Sequence, residues 1–393
     1  MPETSRDYLD TAKKLLSFVG EASTASVLAV DTEFIRERSF FPQLCLLQLA
    51  TPERSIIVDP LALADLSPLK GLFTNSQIVK VFHAGDQDLE IIYHTLSVVP
   101  QPLFDTQIAA ELLGMPQQSS LRNLVREFAG IRLSKADSFS NWDSRPLTGS
   151  QIRYALDDVR YLPHIYTKMH AQLEELGRSQ WLEEDFAALA DEDRYSIHPE
   201  QAWRKVKHSS SLNPTQLGVL KELAATRDQL AMNRNLPRKW VVADELLLEI
   251  ARVSPTSTEE LFHLRGAENQ LGQHWSREIL AAVKRGLELD PGELPQRRHP
   301  VFRNATNAAA NDLLRAVVNQ RSRDNRVTPS MLVNKDELVR LAAGERTGLR
   351  ILTGWRYKLV GEELLRLLSG SLTLRLQGSA IEVKPSARRS RRP

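Results

Sequence analysis

The sequence predicts an α/β domain, a mixed sheet flanked by helices, followed by two small all-helical modules. Four short runs rich in branched apolar residues lie in the first 85 positions, strand and helix patterns alternate after them, and strand signals nearly vanish beyond Trp203. At 393 residues the chain is too long for one ordinary core and suits two or three domains.

The first three runs, "SVLAVDTEF", "QLCLLQLAT" and "RSIIVDP", are joined by short connections, which favours antiparallel neighbours. "QIVKVFHA" reads as a fourth strand and leads into "DQDLEIIYHTL", apolar at helical spacing. "PLFDTQIAAELLG" is a short strand running into a helix that Gly114 ends. Strands followed by alternating strand and helix imply a mixed sheet with helices against it. "PLTGSQIRYALDDVRYLPHIY" opens on a capping box, Thr148 with Gln151, and loses its pattern at Pro163. Tyr154 and Asp158 therefore share one helical face, four residues apart. "NPTQLGVLKELAATRDQLAMNRN", "ADELLLEIARV", "STEELFHL" and "SREILAAVKRGLEL" make a first helical unit; "PGELPQRRHP" interrupts, and a second helical stretch runs from Asn304 to Leu368. The expected divisions are 1–200, 209–291, 302–385 and a basic tail, 386–393.

Charge separates the halves. Residues 1–200 carry 18 basic and 29 acidic side chains, net −11, and residues 201–393 carry 33 and 20, net +13. Residues 171–200 alone have net −7, residues 301–393 net +10, and the chain finishes in "ARRSRRP". A basic half is an electrostatic footprint for a polyanion, most simply nucleic acid. Cys45 is the sole cysteine, which excludes an intramolecular disulfide and argues against a thiolate metal cluster, so it reads as a small core residue. The acidic start "MPETSRDYLD" lacks a signal-peptide pattern and no apolar run approaches a membrane span, so a cytoplasmic protein with no membrane association is expected.

The chemistry begins at Asp31 and Glu33, which as i and i+2 of a strand project from the same face. Alone the pair is weak evidence, since a D-x-E occurs by chance about once or twice in a chain of this length. Asp88 at the start of a helix and Asp158 beside Tyr154 give it company. Four carboxylates on a sheet and two packed helices make a hard, all-oxygen site for Mg²⁺ or Mn²⁺. Two such ions, about 3.5–4 Å apart, can activate a water and stabilise a leaving 3′ oxygen. Tyr154, with an ordinary pKa near 10, is a poor base at neutral pH and is better cast as a hydrogen-bonding partner that orients the attacking water.

The order D-x-E, then D, then Y-x-x-x-D resembles the ribonuclease D family, 3′-to-5′ exoribonucleases with four acidic ligands and a tyrosine. The matching segments are "DTEFIRERSFFPQLCLLQLA", "KVFHAGDQDLEIIYH" and "YALDDVRYL", joined by "PLFDTQIAAELLG" and "NWDSRPLT". The resemblance implies a ribonuclease H-like (DnaQ-like) fold, with Asp31, Glu33, Asp88 and Asp158 as ligands of two divalent ions, Asp31 touching both. It implies that Tyr154 positions the nucleophile, and it selects Asp88, directly before Leu89, over Asp86. Phe41, Gln43, His83, Lys135, Trp142 and Arg145 flank the substrate channel in the resemblance. His83 reads more readily as a structural histidine beside the site than as a ligand, Arg145 alternatively as a tether for the loop before its capped helix, and Asp105 as a supporting residue or a helix N-cap.

"RNLPRKWVVADELLLEIARVSPTSTEEL" resembles the helicase-and-RNase-D C-terminal (HRDC) type of module, and "NKDELVRLAAG" with "ILTGWRYKLVGEELLRLLSG" is a more diverged likeness. Such modules bind nucleic acid in the family, which agrees with the charge. Arg234, Arg238, Lys239 and Trp240 suit phosphate pairing and base stacking, unless Trp240 caps a helix-to-helix turn in the core. The expected function is removal of 5′-mononucleotides from RNA 3′ ends, those of precursor tRNA and other structured RNAs, with no obligate protein partner. A DNA exonuclease of the Werner type, which shares the ligand set, and a non-catalytic RNA-binding protein are the alternatives.

Overall fold

The computed structural model describes residues 7–133, 141–295 and 305–386. Two sequence expectations, the contact by Lys135 and the basic end 387–393, lie outside these residues.

Six strands form the first domain's sheet: β1 (Tyr8–Leu9), β2 (Val27–Ile35), β3 (Gln43–Ala50), β4 (Ser55–Val58), β5 (Val79–Phe82) and β6 (Leu103–Asp105). Their order is β1-β4-β3-β2-β5-β6. The short connections make β2, β3 and β4 antiparallel, and the helical crossovers make β5 and β6 parallel to β2. In this register Asp31 faces Gln48 and Glu33 faces Leu46, and an irregularity follows between Glu33 and Phe34. The two-residue strand β1, parallel to β4, has no counterpart in the sequence reading because it is too short to show alternation.

Helices α1 (Ala12–Ala22), α2 (Asp86–Leu96), α3 (Thr106–Leu112), α4 (Gly149–Arg160), α5 (Leu162–Glu175) and α6 (Glu183–Ala190) flank the sheet. One face is buried by Phe18, Val30, Leu49, Phe73, Leu89 and Ile92, the other by Ala29, Val81, Ile165, Met169 and Leu173. The capping box of Thr148 and Gln151 starts α4 as expected.

The first helical module comprises α7 (Pro214–Arg234), α8 (Arg238–Val241), α9 (Asp244–Val253), α10 (Thr258–His263) and α11 (Ala267–Leu287) around its own core of Leu220, Leu223, Leu247, Ile250, Trp275 and Ile279. Helices α7 and α11 meet at Gly286, where a Cβ would stand 2.4 Å from the Val219 Cα, so only glycine permits the approach.

The second module holds α12 (Ala305–Asn325), α13 (Lys335–Ala342), α14 (Glu362–Leu368) and a hairpin of β7 (Leu372–Gln377) and β8 (Ala380–Pro385). The hairpin is a difference from the all-helical expectation. "LTLRLQ" and "AIEVKP" do alternate: Leu372 is buried and Leu374 and Val383 pack against the core, whereas Leu376 is 75% exposed. Sequence separates this module from the first domain, yet Leu314, Val318, Leu341, Ile351 and Leu364 share one continuous core with Leu112, Ile165, Met169 and Leu173. Trp181 and Trp355 stack at 4.4 Å, and the Trp355 Nε1–H donates to the Trp181 carbonyl at 3.0 Å. Arg356, fully buried, donates to Glu184 (3.0 Å), Asp185 (2.6 Å) and the Met331 carbonyl (2.7 Å). The acidic stretch around α6 and part of the basic C-terminal half thus neutralise each other, which reduces the positive charge available to a polyanion. No helix among the described residues is long and apolar enough to cross a membrane.

Candidate active site

Strand β2 lies at the centre of the sheet and supplies Asp31 and Glu33; α4 crosses that face and lowers Asp158 onto them. Single oxygens of Asp31, Glu33 and Asp158 lie within 4.8 Å of one another. Asp88 does not join this trio directly. It is buried at the first turn of α2, where its carboxylate accepts a hydrogen bond from the Thr32 hydroxyl. Asp86, two residues earlier, points elsewhere and pairs with Arg194 at 2.6 Å.

The launch of α2 is tightly specified. Asp105, at the end of β6, accepts from the backbone N–H groups of Ala84 (3.3 Å) and Gly85 (2.8 Å) and also of Gln107 (2.8 Å) and Ile108 (3.2 Å). It therefore caps α3 and braces the turn before Asp88, so both sequence readings of Asp105 hold at once. Ala84 takes a positive φ of 59°, and a Cβ on Gly85 would stand 2.5 Å from that of Phe82.

The electrostatics are those of buried carboxylates crowded on one another. Burial first, then Asp88, Asp158 and Glu33, push the Asp31 carboxyl well above the ordinary range. Burial followed by Asp158 and Asp88 raises Glu33 to about 8, and burial raises Asp158 to about 7 against the hydrogen bond from Tyr154. Asp88 reaches about 6, burial outweighing the Thr32 hydrogen bond. No cationic side chain among the described residues relieves Asp31 or Glu33. Gln48, fully buried on the strand position facing Asp31, leaves both carboxamide atoms without a partner among the described residues. Converging hard oxygens and an unused amide beside them fit divalent metal ions. Gln48 and Thr32 were not singled out from sequence; a lone glutamine inside "LCLLQLA" was the available signal.

Tyr154 lies one helical turn before Asp158 and hydrogen-bonds its carboxylate; burial, then Asp158, Glu33 and Asp31, raise its phenol above the ordinary value. Trp142 is buried with its ring 6.0 Å from that of Tyr154. So buried, it packs against Tyr154 and presents little surface to the substrate channel that the resemblance places beside it. Of the two readings of Arg145, its contacts match the tether. Its Nε and Nη2 grip Asp59 at 2.7 Å each, while the remaining donors reach the carbonyls of Trp142 (2.8 Å), Ser144 (2.9 Å) and Cys45 (2.8 Å). All five N–H groups are engaged, so it is the tether and not a substrate contact. Asp59 also accepts from the Tyr8 hydroxyl; burial opposes its ionisation, but Arg145 and Tyr8 hold its carboxyl below the ordinary range.

His83 shares its Nδ1 with the Thr106 hydroxyl at 2.9 Å, and that hydroxyl donates to the Phe82 carbonyl. The imidazole therefore carries its proton on Nδ1 and links β5 to α3, while burial lowers its pKa and keeps it neutral. Gln43 is exposed at the first position of β3, and Phe41 is half-buried in the loop before it. The four first-module candidates lie away from the carboxylates. Arg238 pairs with buried Asp228 and Arg234 covers the Trp275 ring at 4.5 Å, whereas Lys239 is exposed. Trp240 is 53% exposed, which rules out a core cap.

Residues 7–174 match the 3′-5′ exonuclease family, and residues 216–283 match the HRDC domain. The chain is 38% identical to ribonuclease D of Nitrobacter hamburgensis, over 97% of this chain and 100% of that protein. It is 39% identical to ribonuclease D of Sphingobium indicum, over 95% and 97%. Among solved structures, Escherichia coli RNase D, described as an exoribonuclease involved in structured RNA processing, superposes with a TM-score of 0.79 at 31% identity, covering 92% of this chain and 98% of that one.

Proposed function

The chain belongs to the ribonuclease D family of 3′-to-5′ exoribonucleases, and on that premise we propose that it hydrolyses RNA at the cluster of Asp31, Glu33, Asp88 and Asp158, one nucleotide at a time, releasing 5′-mononucleotides. The observation that carries the assignment of the site is the convergence of Asp31, Glu33 and Asp158 oxygens within 4.8 Å, a buried group that repels itself. The family and this acidic cluster imply divalent metal; that two ions are held, Mg²⁺ or Mn²⁺, is part of the proposal.

Bound there, such ions supply a water of lowered pKa and charge to stabilise the leaving 3′ oxygen. The chain's own groups do the rest. Asp31 and Glu33, fixed on a central strand, and Asp158, fixed on a capped helix, would hold the ions with little reorganisation. Asp88, held by the Thr32 hydroxyl at the first turn of α2, would supply the fourth carboxylate. Tyr154 stays protonated at neutral pH; its one O–H is donated to Asp158, so its oxygen, with lone pairs free, is the acceptor that orients the attacking water, and Trp142 limits the motion of its ring. Phe41 and Gln43, at the β2–β3 rim, contact the terminal nucleotides, while His83 holds the rim of α3. Arg234, Lys239 and Trp240 offer charge and a stacking surface to the body of the RNA. The 3′ ends of precursor tRNA and other structured RNAs, in the cytoplasm, are the substrates proposed.

Asp31→Asn tests the reading. The variant is expected to lose more than about 100-fold in hydrolysis rate, beyond what a supporting residue costs, while filter binding of a 3′-tailed stem-loop RNA stays within about twofold because binding depends mainly on basic groups. Retained hydrolysis would remove Asp31 from the site. Equal or faster cleavage of a matched DNA oligonucleotide by the parent chain would overturn the RNA preference.

A further inference from the structure

The connection from β2 to β3, residues 36–42, leaves the sheet just after Glu33 and returns at Gln43. Its base is fixed within the first domain, where Arg36 grips Glu90 of α2 through both guanidinium nitrogens, at 3.3 and 2.6 Å. Its tip belongs to the first helical module. Phe40 packs against that module's core, and the backbone N–H groups of Phe40 and Phe41 both donate to Oδ1 of Asn235, at 3.1 and 3.0 Å. The Arg238 guanidinium lies over the Phe40 ring at 4.4 Å and is itself held by buried Asp228 through two 2.8 Å bonds.

Asn235 ends α7 in the left-handed conformation, φ 49° and ψ 46°, which an asparagine adopts readily and which turns the chain into α8. The side chain it presents accepts two amides that no strand partner satisfies. A seven-residue loop without internal secondary structure is otherwise among the first segments to open.

We propose that Asn235 is a positioning residue for the exonuclease site: through it the first helical module holds Phe41 and Gln43 where the 3′-terminal nucleotide binds. The inference rests on the functional reading above. It gives the module a second task besides contacting RNA, one that operates on a substrate too short to reach the module. Sequence places the two partners 195 positions apart and in different domains.

The test uses the full chain with Mn²⁺ and two substrates, a 5′-phosphorylated diadenylate and a stem-loop RNA with a single-stranded 3′ tail. Asn235→Gly keeps the left-handed backbone at no steric cost but removes the acceptor; Asn235→Asp keeps an acceptor oxygen. Asn235→Gly is expected to raise KM for the dinucleotide about tenfold, the scale of two lost hydrogen bonds, with kcat within about twofold. Asn235→Asp restores parental KM. Hydrogen–deuterium exchange of a peptide spanning residues 36–42 accelerates in Asn235→Gly alone. Unchanged dinucleotide KM and unchanged exchange in Asn235→Gly, with loss confined to the stem-loop, would make Asn235 an RNA contact and overturn the proposal. Equal loss in Asn235→Asp would trace the effect to the helix end and overturn it too. A parent chain that cleaves neither RNA overturns the functional reading instead, and the exchange result then decides the anchor by itself.

Discussion

At the scale of single residues, the acidic cluster is a local strain with a definite pH signature. Glu33 and Asp158 titrate near 8 and 7 in the folded protein, whereas unfolded carboxyls titrate near 4. The folded state therefore binds the extra protons, and the stability they bring is complete below about pH 4 and lost as pH rises through 7 and 8. The thermal midpoint of metal-free protein, measured in chelator, is expected to fall between pH 5.5 and 8.5, and added Mn²⁺ to flatten that fall by replacing the protons. A metal-free midpoint that is level or rises over this interval would contradict the shared origin of the shifts. The four acids and Tyr154 were legible in sequence because strand and helix periods aim them from short motifs, and "DQDLE" told Asp88 from Asp86 only through resemblance to a family. Arg145 was read two ways because its partner Asp59 is 86 positions away and nothing in "IIVDP" announces it.

At the scale of elements, ion pairs separate into those that hold helices and those that decorate them. Arg356 is fully buried between Trp355 and α6, and Arg350, which shares only Asp185 with it, is 49% exposed at its side chain. Arg356→Ala removes the buried donor of Asp185 Oδ2 and of the Met331 carbonyl, leaving Asp185 only the exposed Arg350, and is expected to cost about 3–5 kcal/mol in denaturant unfolding. Arg350→Ala is expected to cost less than about 1 kcal/mol. Similar losses in the two variants would refute the division. The helices of both modules were readable from their apolar spacing, and the structure adds reciprocal capping bonds at Asn213 with Gln216 and Asn334 with Glu337. The β7–β8 hairpin was not, because its two strands are short, carry charged residues between the few apolar ones, and reach only the edge of the core beside α12 and α14.

At the scale of the molecule, the first module keeps a core of its own, whereas the second completes the core of the sheet domain. A chain ending after Pro295 is therefore expected to expose Leu112, Ile165 and Leu173 and to lose about 10 °C or more in thermal midpoint. An unchanged midpoint would show that the sheet domain is sufficient alone. Composition showed the charge asymmetry but could not show that Glu184 and Asp185 answer Arg356, so the apparent footprint for a polyanion was larger than the free one. The joint core also has a history in time. Leu173 leaves the ribosome roughly 190 residues before Leu364, a delay of about 10–40 s at common synthesis rates. Throughout that interval one apolar face of the nascent sheet domain has no cover, which marks it as a client for a holding chaperone. The hydrolytic domain is finished only when nearly the whole chain has been made, so a truncated translation product does not yield a stable nuclease.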